Sequence, residues 1–223
     1  MVASRYHQNI PRPEIAGDPT APPWSTTRGD APELSAATLR SIAQVLEPPS
    51  SVPDDVNAAV LVPLVWRPSG FVVVLTRRAA TLEREPGTVA FPGGRREPGE
   101  APLETALRET EEEIGLHRSV IELLGSLPAV EQRHGARVAV YVGLVAIDAE
   151  LAPNAAEVDV VLEPSLGALY RSGVAWEEIW GAPGEARRVR FFANEDLLGR
   201  DVVWGMSAGI LWELLVRLDG VLG

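Results

Sequence analysis

Glu109, Glu112 and Glu113 stand three and four residues apart. On a helix that spacing puts three carboxylates on one face, with Cβ atoms roughly 5–6 Å apart. Their mutual repulsion, heightened by Glu111, weakens a bare helix, and a hard divalent cation would turn it into coordination. Taken alone, such an acidic run reads more readily as a solvated face. The remaining composition narrows the choice of metal. The chain has no cysteine and three histidines, His7, His117 and His134, scattered in sequence. Disulfides, thiolate zinc sites and cysteine nucleophiles are excluded, and a histidine-rich centre has no support. Oxygen ligands favour magnesium, manganese or calcium.

Positioning those carboxylates requires a helix, and its limits are written at both ends. Pro102 suits a first helical turn and Gly115 a C-terminal cap, so a helix is expected over about 101–114. A glycine-rich loop, Phe91-Pro92-Gly93-Gly94, leads toward it. Upstream, AAVLVPLVW and FVVVLTR flank Arg67-Pro68-Ser69-Gly70 and read as a β-hairpin. Strands are expected near 120–127 and 137–147, with extended pieces at EVDVVLEP, WEEIW and RVRFF. A last helix should cover about 204–218, with Trp204 packing inward at its start. A short amphipathic helix, with Leu34, Leu39, Ile42 and Val45 near helical spacing, should end at Pro48-Pro49. Residues 1–33, rich in proline and polar residues, read as an extended or partly disordered arm. Residues 34–223 then form one α+β domain, an α/β/α sandwich with a mixed sheet.

The context of the glutamates is more specific than the run itself. Gly94, Glu100, Arg108, Glu109, Glu112, Glu113 and Gly115 match, in type and spacing, the Nudix box: Gly, five residues, Glu, seven residues, Arg-Glu, an aliphatic, any residue, Glu-Glu, any residue, Gly. Seven fixed positions at frequencies of about 0.1 each would coincide roughly once in 10⁷ windows. Thr110 stands where the box has an aliphatic residue. The chain thus resembles the Nudix hydrolases, metal-dependent enzymes that cleave diphosphates. The resemblance implies that Glu109, Glu112 and Glu113 bind Mg²⁺ or Mn²⁺ and serve catalysis. A carbonyl near Gly94 would join the metal shell, since a glycine turn allows close backbone approach. Glu100 can pair with Arg108 and hold the loop against the helix, a structural role.

The preceding segment, LTRRAATLEREPGTVAFPGG (75–94), is similar to the signature of coenzyme A pyrophosphatases. Arg78, Gly87 and Phe91-Pro92-Gly93-Gly94 match; Glu83 occupies the place of that subgroup's second arginine, with Arg84 beside it. PNAAEVDVVLEP (153–164) and VWGMSAGIL (203–211) resemble the same subgroup, so the similarity spans about 57–217. It implies hydrolysis of coenzyme A or its derivatives to 3′,5′-ADP and 4′-phosphopantetheine. Arg77, Arg78 and Arg84 are candidate contacts for substrate phosphates. Glu157 is a candidate general base or auxiliary ligand from outside the box. Two alternatives stand beside this reading: a Nudix diphosphatase for ADP-ribose, a dinucleotide or a nucleoside triphosphate, and a non-catalytic nucleotide-sensing or interaction module.

Charge and hydropathy bound the partners. With 20 basic and 31 acidic residues the net charge is −11, which repels phosphate backbones and argues against nucleic acid. No apolar run is long enough to span a membrane, and the start lacks a signal peptide's apolar segment. A cytoplasmic protein acting on a small nucleoside diphosphate is expected, with a homodimer left open.

Overall fold

The computed structural model describes residues 8, 10–26, 36–68, 70–131 and 135–222. In chain order the elements are α1 (Ala36–Val45), β1 (Ala58–Arg67), β2 (Gly70–Val73), β3 (Leu75–Arg78), β4 (Val89–Ala90), β5 (Gly93–Arg95) and α2 (Pro102–Ile114). There follow β6 (Ile121–Glu131), β7 (Arg137–Val145), β8 (Val158–Leu162), α3 (Leu166–Leu169), β9 (Ala175–Trp180), β10 (Arg187–Phe192), α4 (Glu195–Leu198), β11 (Val203–Trp204) and α5 (Gly205–Leu222). The central helix and the last helix are present; the expected hairpin forms between β1 and β2, but its second arm breaks after Val73 and Leu75–Arg78 join a different sheet. Leu34, part of the expected first helix, and residues 27–33 of the arm lie outside the described residues, as do His7 and His134.

The central sheet runs β2-β1-β7-β6, with β5 also paired to β1. β1 and β7 are parallel while the other pairs are antiparallel, so the sheet is mixed. Strand alternation divides β1 between two layers. Ala59 and Leu61 join Ala106 of α2 and Ala139 and Tyr141 of β7 in one cluster. Val60, Val62 and Leu64 face the other way, into a larger core shared with Leu211, Leu214 and Leu215 of α5. Helices therefore cover both faces, giving the α/β/α sandwich with a mixed sheet that the pattern predicted. Small residues at the α2 contact (Ala59, Ala106 and Ala139, all fully buried) let the glutamate-bearing helix lie close against the sheet.

Two smaller sheets flank the central one, β4-β3-β8 and β11-β10-β9. Residues 15–20 run antiparallel along the outer edge of β9, through Gly17 N–H to Ile179 O (2.8 Å) and a reciprocal pair between Thr20 and Glu177. Beyond them Trp24 is fully buried, 4.8 Å from the Trp212 ring of α5 and 5.7 Å from Tyr170. In β9 the usual alternation fails: Glu177 and Glu178 are buried while Ile179 is 40% exposed. Each acid has partners that offset its desolvation. Glu178 accepts from the Trp176 and Trp180 indoles and from Arg12 Nε (3.0 Å), and Glu177 from Arg188 and Arg190.

Candidate active site

α2 is ended by Gly115 in the left-handed conformation (φ 72°), its N–H closing on the Glu111 carbonyl. At the other end Glu104 accepts from the Ala101 N–H at 3.3 Å. Thr110, the polar residue at a usually aliphatic position, is fully buried, its hydroxyl donating to the Ala106 carbonyl at 2.6 Å. The helix satisfies that hydroxyl internally and its methyl packs.

Arg108 gathers three of the acids. Its Nε and Nη2 reach the two Glu100 oxygens at 2.8 and 3.2 Å, and its Nη1 reaches Glu109 Oε1 and Glu112 Oε2, both at 2.9 Å. Nη2 also donates to the Arg95 carbonyl. Glu100 accepts in addition from the Thr105 hydroxyl and the Glu97 N–H. These bonds, Arg108 foremost, hold the Glu100 carboxyl down at a pKa of about 2. The loop after β5 is thereby fastened to α2 by a charge-assisted, two-pronged contact.

Gly93 and Gly94 permit the approach of this loop. Gly93 (φ 153°) pairs with Val60, and a Cβ there would come within 2.6 Å of the Val60 Cα. A Cβ at Gly94 would overlap the Glu109 carboxylate, so that carboxylate occupies space vacated by the missing side chain.

Glu113 lies deepest. It is 3% exposed, and its Oε2 is buried without a hydrogen-bond partner. Burial pushes its pKa up to about 8; Arg78 opposes this, Glu109 and Glu157 add to it, and the Gly93 N–H lowers it. Glu109 is also raised, mainly by burial, with Glu112 and Glu157 contributing. Arg78 Nη1 sits 3.7 Å from Glu113 Oε1, while its own Nε is buried without a partner.

Glu157 reaches this region through the backbone. Asn154 N–H donates to the Glu113 carbonyl (2.9 Å), the Asn154 side chain accepts from Ala156 N–H, and the Ala79 N–H donates to the Glu157 carbonyl (2.8 Å). The Pro-Asn turn thus hooks onto the end of α2 and delivers Glu157 beside β3.

The candidate arginines part company. Arg77 points away from the carboxylates to the buried Asp201 (2.9 and 3.1 Å), with Asp159 at 3.7 Å. Arg84 is exposed on the loop between β3 and β4. Sequence reasoning missed Asp201, which lies 124 residues from Arg77 in an unremarkable stretch and carries no spacing signal.

An all-oxygen set of Glu109, Glu112, Glu113, Glu157 and the Gly94 carbonyl suits a hard divalent cation. The orphaned Glu113 oxygen and the cradle at Gly94 fit such an ion. Among the described residues no three acidic or histidine side chains are yet drawn into one coordination shell. Cation binding must therefore compete with Arg108 for Glu109 and Glu112.

The Nudix domain family model matches residues 56–207. This chain belongs to the Nudix family. Among relatives of this Nudix protein, the uncharacterised Nudix hydrolase NudL of Yersinia enterocolitica is 36% identical over 188 residues, 83% of this chain and 93% of that one. NudL of Photorhabdus laumondii is 35% identical over 189 residues, 83% and 98% of the two chains. Among solved structures, the Nudix hydrolase RenU from M. smegmatis is 17% identical with a TM-score of 0.47, over 75% of this chain and 88% of that one. Nudix hydrolases generally use divalent metal ions. No described helix of this Nudix protein is long and apolar enough to cross a membrane.

Proposed function

We propose that this Nudix hydrolase cleaves the diphosphate of coenzyme A or a derivative, releasing 3′,5′-ADP and 4′-phosphopantetheine, with Mg²⁺ or Mn²⁺ as cofactor. The diphosphatase reading is carried by the buried Glu113 carboxyl with its unpartnered oxygen, electrostatically coupled to Glu109 and Glu157. Its coenzyme A refinement is supported by the 75–94 segment, in which Arg78 stands beside that carboxyl.

Glu109, Glu112, Glu113 and the Gly94 carbonyl would hold the metal. When bound, such an ion polarises a diphosphate and makes water a stronger acid. The residues themselves divide the remaining work. Glu113, protonated at neutral pH without a cation because of its burial, gives up that proton in exchange for the cation. Arg78, whose side chain is partly exposed beside Glu113, offers its accessible guanidinium nitrogens to the anionic substrate. Glu157, held by the Asn154 turn, is the candidate base. Glu100 and Arg108 keep the loop and helix in register, a positioning role. Arg84, exposed on the neighbouring loop, can swing to a phosphate in place of the arginine that Glu83 replaces.

Incubation with coenzyme A and magnesium, followed by chromatography, tests the reading. Equal release of 3′,5′-ADP and 4′-phosphopantetheine is expected. Turnover of ADP-ribose or a dinucleotide, with coenzyme A left intact, would reject it.

A further inference from the structure

A cavity of about 1000 Å³ lies between β6, β10 and the first turn of α5. Thr88, Val89 and Ala90 line one side of it. Thr88 also accepts the Arg78 N–H at 2.9 Å, so the strand bordering the cavity is bonded directly to the one that sets Arg78 beside Glu113. The loop bearing Arg84 contributes Glu85 to the same lining.

The walls differ in character. Leu127 and Val130 of β6 and Ile210 of α5 are apolar, β10 presents Arg187, Arg188 and Arg190, of which the last two pair with Glu177, and Glu85, Glu131 and Glu213 complete the polar lining. The Arg188 side chain is 70% exposed and makes one 3.2 Å bond to Glu177. Trp204 stands at the turn into α5. The three tryptophans of this flanking region have different fates: Trp180 is closed off by the arm at 1% exposure, Trp176 stacks on Phe191 at 5.1 Å, and Trp204 lines the cavity, partly exposed. Its ring packs against the cluster of Trp180, Val189 and Phe191, tilted 38° to Trp180 with centroids 6.3 Å apart, and stays partly exposed.

We infer that this cavity seats the nucleoside half of the substrate, with the Trp204 indole as the stacking surface for its base. An indole face accepts any heteroaromatic base, and the largely exposed Arg188 guanidinium suits a phosphorylated nucleoside better than an aliphatic amide chain. The inference rests on the proposed reading only in that the substrate carries a nucleoside.

Titration calorimetry in magnesium buffer with AMP and with 4′-phosphopantetheine, on wild type and Trp204→Leu, tests it. Loss of the stacking face should raise the Kd for AMP roughly tenfold or more and leave that for 4′-phosphopantetheine within about twofold. Three results would overturn the inference: a wild type that does not bind AMP, unchanged AMP affinity in a folded variant, or equal losses for both probes. Should Trp204→Leu not fold, photo-crosslinking of wild type with 8-azidoadenosine monophosphate decides. Adducts within 204–210 or 127–131 support the site, and adducts confined elsewhere reject it. AMP binding is read without turnover, so failure here and failure of coenzyme A cleavage are distinguishable.

Discussion

Arg78 stops 3.7 Å from Glu113 Oε1, leaving its own Nε and the second Glu113 oxygen buried and unpartnered. A guanidinium and a buried carboxyl this close, with hydrogen-bonding capacity unspent on both sides, are costly to maintain for structure alone. A divalent ion at the acid and a phosphate at the arginine would spend that capacity.

Stability of the metal-free protein should respond to pH in the direction set by Glu113. Its folded pKa of about 8 exceeds the ordinary 4.5, so the folded state holds a proton that the unfolded chain releases. The stabilisation is full below pH 4.5 and is lost as pH rises through 8, by at most roughly 5 kcal/mol. Urea denaturation between pH 5 and 8.5, in chelator, should show the decline. Glu113→Gln should flatten it, and an equally steep decline in the variant would contradict the account.

The same substitution should separate stability from activity. Glu113→Gln is expected to fold at least as well as wild type at pH 8 without metal, yet to lose turnover roughly 10³-fold, about 4 kcal/mol, at saturating magnesium. Near-normal kcat would remove Glu113 from the catalytic set.

Glu100 and Arg108 call for the opposite acid response. With the Glu100 pKa near 2, its contribution is present above pH 4.5 and lost as pH falls through 2. Arg108→Ala leaves the partly buried Glu100 carboxylate with only the Thr105 and Glu97 donors and should cost roughly 1–3 kcal/mol at pH 7. Chemical denaturation measures this, and a cost below about 0.5 kcal/mol, the surface-substitution range, would count against a positioning role.

Arg77 and Arg84 should behave differently. Arg77→Ala leaves Asp201, 3% exposed, without its guanidinium, and should lower stability by roughly 2–5 kcal/mol. Arg84→Ala, at an exposed position, should leave stability within about 0.5 kcal/mol and raise KM for coenzyme A. Denaturation midpoints and steady-state kinetics on both variants check the contrast, which an unchanged KM for Arg84→Ala would break.

How much of this was readable beforehand depends on how local each cause is. α2 could be bounded because Pro102 and Gly115 act through the backbone within one turn. The pairing of Glu100 with Arg108 is eight residues long and carried by a loop that folds back. By contrast, the grip of Arg108 on Glu109 and Glu112 is a choice of rotamer, which spacing permits and does not select. Arg77 is settled by Asp201 across 124 residues. Trp204 packs against the cluster of Trp180, Val189 and Phe191, as expected of a residue opening an apolar helix, and its remaining exposed part lines a cavity. β11 ends there and the space in front is bounded by β6 and β10, strands whose placement no local pattern encodes. The buried pair Glu177 and Glu178 reverses strand alternation for a similar reason: their partners are Arg12, Arg188, Arg190 and two indoles.

The most direct measurement is a manganese titration followed by electron paramagnetic resonance, in which bound Mn²⁺ loses the sharp signal of the free ion. Wild type should bind at the helix carboxylates, and Glu109→Gln and Glu113→Gln should each weaken that binding by about tenfold or more. If both folded variants bind Mn²⁺ as tightly as wild type, the ion sits elsewhere and the site described here is not the metal centre.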